Sequence, residues 1–169
     1  MGHLLILKLL EEPPQQTLFL LVTHQLSNVL PTVRSRARVE KMRPLTISQL
    51  RELCFKFMEN EEISPEILKL ANGSFGKIAN LKASGGDVIY EELLNALTDK
   101  NSTASDMMDV ATKIASAPAL YGIVLDAIAY FGLADLYPMA SNTIADINRL
   151  NLRGDITIFK IITEIKKCL

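Results

Sequence analysis

Three arginines at alternate positions, Arg34, Arg36 and Arg38, are the side chains best suited to chemistry in this sequence. A guanidinium stays charged at any physiological pH and can grip phosphate oxygens through two parallel N–H bonds. In an extended chain, alternate spacing puts all three on one side. Two uses fit that pattern. One is an arginine delivered to a phosphate held by a neighbour. The other is a solvated strand edge whose charge discourages further pairing. Spacing alone favours the second.

Other chemistry is harder to assemble. Gly73-Ser74-Phe75-Gly76-Lys77 looks like a phosphate loop, but the glycines are too close together, and Ile78 stands where Ser or Thr would hold magnesium. A helix, not a strand, is expected before it. His3 and His24 have no Cys or His at ligand spacing, and Cys54 and Cys168 form no CxxC. His24 follows a candidate strand at the end where α/β folds place functional residues, yet nothing nominates a nucleophile beside it. Glu11-Glu12, Glu61-Glu62 and Glu91-Glu92 are sequence neighbours, which do not face each other across a helix, and read as solvated charge. The expectation is a chain with no complete catalytic site, no bound cofactor and no metal.

The bulk properties agree with a packed protein. The 169 residues are 49% hydrophobic, and the net charge is −1, so no whole-chain attraction to nucleic acid is implied. No stretch has the roughly 18–20 continuous apolar residues of a membrane span. Cysteine usage fits a reducing cytoplasm.

The elements that must position the arginines fall in three stretches. In residues 1–43, a helix end over 4–10 stops at Glu12-Pro13-Pro14. An apolar run over 17–23 reads as a strand buried on both faces, and 38–42 as a shorter one. Such a remnant of an α/β layer needs neighbours, and its unpaired edge predicts self-association of the isolated chain.

Residues 44–82 read as three short helices. Thr46 with Gln49 is a capping box, Ser64-Pro65 an N-cap with Pro at the first helical position, and Gly73 a stop. The stripe Leu50, Leu53, Cys54, Phe57, Met58 marks the buried face of the first. A Gly-rich linker over 83–87 leads to about five helices in 83–169: 88–97, 105–116, a nearly all-apolar helix over 118–136, 138–150, and one after Gly154 whose start, Ile156-Thr157-Ile158-Phe159, is β-prone. The fold class expected is mainly α.

The order of these segments carries a resemblance. Leu7-Lys8-Leu9-Leu10-Glu11-Glu12-Pro13-Pro14, the run 17–23, and Leu30-Pro31-Thr32-Val33-Arg34-Ser35-Arg36 together resemble the clamp-loader subunits of bacterial DNA polymerase III, members of the AAA+ class. That family has a Leu-Glu-Glu-Pro-Pro helix end, a sensor-1 strand and a Thr-Ile-x-Ser-Arg-Cys motif. Its Ser-Arg-Cys arginine is an arginine finger, which reaches ATP on the adjacent subunit. The resemblance puts that role on Arg36, with Ala37 in place of the cysteine, and the sensor-1 position on Thr23 or His24. Arg34 and Arg38 become candidates for inter-subunit or phosphate contacts.

A three-helix lid and a helical collar follow in the family, matching 44–82 and 83–169. Its sensor-2 motif resembles Ala71-Asn72-Gly73-Ser74-Phe75-Gly76, where ATP-hydrolysing members carry an arginine at the place of Gly76. That departure resembles the delta-prime branch, which supplies a finger and does not hydrolyse ATP. The resemblance thus implies ATP–Mg in a neighbouring subunit, gamma/tau-type and delta-type partners, and a sliding clamp and primed DNA reached through the complex. The family's chain before residue 7 has no counterpart here, which implies a truncated chain, a split gene or a decayed frame. The alternative function is a non-catalytic helical oligomerisation module or an inactive remnant.

Overall fold

A computed structural model describes residues 9–23, 25–58 and 62–169. His3, His24 and the start of the expected N-terminal helix lie outside the described residues. The chain divides into two compact units, Met1–Arg43 and Pro44–Leu169.

The described residues of the first unit contain little regular structure. Residues 9–11 are helical, Leu26–Asn28 forms a 3₁₀ turn, and α1 is the short helix Pro31–Arg34. Among the described residues there is no strand. The strands expected over 17–23 and 38–42 are instead unpaired chain. A strand apolar on both faces needs hydrogen-bonding neighbours and a cover on each side. Neither is present among the described residues, and Leu18, Leu20 and Val22 are 89%, 85% and 84% exposed.

The second unit is helical and mainly α, as the periodicity predicts. Its helices are α2 (Ile47–Phe57), α3 (Pro65–Leu70), α4 (Phe75–Ala83), α5 (Gly86–Thr98), α6 (Ala104–Ala115), α7 (Gly122–Tyr130), α8 (Tyr137–Arg149) and α9 (Gly154–Lys167). Local chemistry starts several of them. Gln49 N–H donates to Thr46 Oγ1 at 3.3 Å while Thr46 N–H donates to Gln49 Oε1 at 2.9 Å, the reciprocal cap of α2. Thr103 and Asp106 do the same for α6, and Ser64 and Ser74 cap α3 and α4.

One core joins these helices. It runs from Leu50 and Cys54 on α2 through Leu68, Ile78, Leu93, Ile114 and Val124 to Ile158 and Ile162 on α9. α9 packs along α6, and α6 against α5. Lys166 on α9 donates to the carbonyls of Ala96 (3.0 Å), Leu97 (2.8 Å) and Asp99 (2.6 Å), closing the C-terminus of α5. Burial pushes the Cys54 thiol up from its ordinary pKa, partly offset by Lys82.

Three expectations change in this unit, and one boundary is settled. The stretch 118–136 is not one helix: it is a 3₁₀ turn Pro118–Leu120, then α7, then a 3₁₀ turn Ala134–Leu136, with the chain turning at Gly132 as Leu133 N–H donates to Ile128 O at 3.0 Å. The stretch 83–87 is not a linker: Ala83 ends α4, Ser84-Gly85 is a tight turn, and Gly86 and Asp87 open α5. There a Cβ on Gly86 would lie 2.9 Å from a Leu81 methyl and 3.0 Å from a Leu120 methyl, so those side chains would have to shift to admit one. The last helix forms after Arg153 as expected: the β-prone residues Ile156 to Phe159 are helical because Thr157, Ile158, Ile161 and Ile162 bury one helical face. Phe57 lies exposed at the end of α2, edge-on to Phe75 at 6.0 Å.

Candidate functional site

The site is built on α1 and the turn that ends it. Pro31 occupies the first helical position, where its missing N–H costs nothing. The helix lasts one turn. Ser35 N–H donates to Pro31 O at 3.0 Å, and Arg36 N–H to Val33 O at 3.2 Å. Ser35 Oγ donates back to Thr32 O at 3.1 Å. Arg36 therefore leaves the helix from a hydrogen-bonded turn and not from an extended strand.

Its guanidinium is fixed from two directions. Nη1 donates to Thr32 O at 3.0 Å and to Ser35 Oγ at 3.3 Å. Nη2 meets Glu11 Oε1 at 2.5 Å. The Arg36 side chain is 36% exposed, so it is anchored yet reachable.

The other nominated residues are not gathered around it in the expected way. Arg34 belongs to the last turn of α1 and is exposed. Arg38 pairs with Glu40 at 2.5 Å, with its side chain 90% exposed. The one-sided row of three arginines required an extended chain, and α1 removes that condition. Thr23 is exposed, and its Oγ1 donates to Gln25 O at 3.1 Å and accepts from Gln25 N–H at 3.2 Å. Among the described residues, no group of three His, Cys, Asp or Glu side chains is placed to hold a metal. No single described helix is long and apolar enough to cross a membrane.

Glu11 is the residue that sequence reasoning missed. It was grouped with Glu12 as solvated charge, and nothing in its local sequence marks a partner so distant along the chain. The phosphate-loop lookalike also resolves. Ser74 caps α4, and Lys77 Nζ is engaged by Asp126 Oδ1 of α7 at 2.6 Å. An open cleft there is lined by Lys69, Asn72, Lys77, Asp126 and Tyr130. Tyr90 is fully buried and its hydroxyl has no hydrogen-bond partner among the described residues. Burial, then the charges of Asp126, Tyr130 and Glu66, push its phenol well above the ordinary tyrosine pKa.

Comparison with known proteins places this geometry in a family context. A family model described as DNA polymerase III, delta subunit, matches residues 5–46, which include Glu11 and Arg36. The DNA polymerase III subunit gamma/tau of Mycobacterium bovis (strain ATCC BAA-935 / AF2122/97) is 28% identical over 135 residues, covering 73% of this chain and 23% of that protein. The gamma/tau subunits of Mycobacterium tuberculosis strains CDC 1551 and H37Rv match with the same identity and coverage. The chain thus spans about a quarter of the length of the curated relatives it matches. No solved structure matches it. Both kinds of match support the DNA polymerase III clamp-loader family. They differ on the subunit: the family model carries the delta description, and the relatives are gamma/tau subunits.

Proposed function

We propose that this chain is a delta-prime-like part of a DNA polymerase III clamp loader, which assembles through its helical unit and lends Arg36 to ATP bound on a neighbouring subunit. The observation that carries the reading is the anchored Arg36 guanidinium, lying within the segment matched by the family model. A fixed, charged fork that is still reachable suits an arginine finger, which stabilises charge developing on a transferring γ-phosphoryl group. ATP–Mg belongs to the neighbour, and this chain holds no cofactor. Gly76 supports the delta-prime side of the assignment. A Cβ there would meet only Ser74 Oγ at 4.0 Å, so the backbone at this position does not exclude a side chain.

In this reading residues 44–82 act as a lid and 83–169 as a collar. The partners are gamma/tau-type and delta-type subunits, with the sliding clamp and primed DNA met through the complex in the cytoplasm. Thr23 or His24 takes the sensor position, while Arg34 and Arg38 face subunit or phosphate surfaces.

The test is ATP turnover by a gamma/tau-type subunit mixed with the full chain, native or Arg36→Ala. The expected loss approaches the ~10³-fold lower end of such arginines. A second reading, a non-catalytic oligomerisation module, is favoured by the self-contained core of Pro44–Leu169. Assembly with unchanged turnover in Arg36→Ala would establish that reading instead.

A further inference from the structure

We infer that Glu11 is a positioning residue for Arg36, holding the guanidinium in the one orientation from which it can meet a phosphate. The inference rests on the reading of Arg36 as a finger and adds the group that aims it. An arginine side chain left in solvent samples many rotamers, and fixing it costs entropy when the phosphate arrives. Here much of that ordering is already present. A guanidinium has five N–H groups. Thr32 O and Ser35 Oγ take those of Nη1, and Glu11 faces Nη2. Among the described residues, the Nε–H and one Nη2–H have no partner and remain for an incoming pair of oxygens.

The surroundings hold Glu11 still as well. Pro13 and Pro14 end the helical residues 9–11 and stiffen the chain just past the carboxylate, and Thr17 N–H donates to Pro14 O at 3.2 Å to close the turn. The Glu11 side chain is half exposed, so the pair contributes little to stability. Orientation is what it supplies. Arg38 gives the contrast inside the same unit: it also meets a carboxylate, but on a side chain almost wholly in solvent.

Glu11→Gln keeps the size and removes the charge. In the mixed ATPase assay with the full chain, it is expected to lower kcat about 3- to 10-fold, with KM for ATP and assembly unchanged, because a misaimed group loses rate and not binding. Glu11→Asp should recover part of the loss. In the isolated chain, the ¹⁵N-labelled Arg36 Nε–H signal, assigned by its loss in Arg36→Ala, should shift and broaden in Glu11→Gln. Native kcat in Glu11→Gln alongside slow turnover in Arg36→Ala would overturn the positioning role and leave the finger standing. Native turnover in both variants would overturn both. A raised kcat in Glu11→Gln would mean that the carboxylate competes with phosphate, which also overturns positioning.

Discussion

The two units treat the same residue types in opposite ways. Leu18, Leu20 and Val22 of the first unit lie open, whereas Leu50, Leu93, Ile114 and Ile158 of the second are completely buried. Hydrophobicity does not separate them. A helix satisfies its own backbone and needs only a partner for one stripe. A strand needs a hydrogen-bonding neighbour before its side chains can be covered at all. The helical unit can therefore complete itself from local signals, while residues 17–22 cannot. The less complete unit is also the one that contains Arg36 and the whole Glu11 contact. Among its described residues, organisation comes from turns, prolines and the ion pairs of Arg36 and Arg38 with Glu11 and Glu40.

The sharpest way to break this comparison is one substitution made in each unit. Leu93→Ala removes a fully buried side chain of α5 and should cost about 3 kcal/mol, because the surrounding helices only partly close the cavity. Leu20→Ala should change stability by less than about 0.5 kcal/mol, since that side chain is already in water. Urea unfolding followed by circular dichroism reads both as midpoints. Sedimentation velocity supplies the complement: Leu20→Ala should reduce self-association of the isolated chain, and Leu93→Ala should not. Equal losses of stability would mean that residues 17–22 are packed in solution.

A smaller effect tests whether the second unit depends on backbone geometry as well as burial. Gly73 has φ +81°, and a Cβ there would lie 2.4 Å from Pro44 Cβ and 2.7 Å from Leu45 N. Its carbonyl accepts from Leu45 N–H at 3.1 Å, tying the turn after α3 to the chain entering α2. Gly73→Ala should destabilise by about 2 kcal/mol through left-handed strain and overpacking together. Gly85→Ala shares the positive φ but meets no atom within 4 Å, so it should cost less. Equal midpoints for the two variants would show that the Pro44 contact is not formed.

What could be read from the sequence divides along the same line. The caps at Thr46 and Ser64 and the buried positions Leu50 and Cys54 lie within a few residues of what determines them, so spacing reveals them. The breaks within 118–136 were obscured because almost every residue there is apolar and no periodicity survives. Lys166 lies near the end of its own helix, yet it caps α5, and that contact exists only after the chain folds back. Glu11 is the same case at the candidate site. Arginines at alternate positions could be seen from residue type alone, but α1 decided which of them is anchored, and a carboxylate from a distant segment decided how. The expected strands failed for a different reason. Their pattern was strand-like, but the neighbours that would pair them are not among the described residues.

The smallest expected effect tests whether a purely local cap contributes to the helical unit. Asp106 Oδ2 accepts from Thr103 N–H at 2.8 Å and from Thr103 Oγ1 at 2.9 Å, and these two bonds hold its carboxyl below the usual carboxylate range. A depressed folded value stabilises the native state above the unfolded pKa of about 3.9, and that contribution disappears as pH falls through the folded value. Asp106→Asn removes the titration but keeps a side-chain oxygen to accept from Thr103. The urea midpoint of the variant should therefore fall less steeply below about pH 4 than that of the native chain. It should still fall somewhat, because Asp155 is also held low, chiefly by its hydrogen bond from Arg153. An acid limb identical to the native one would mean that the Thr103 cap is open in solution. The start of α6 would then owe its position entirely to Met107, Val110 and Ala111 in the core.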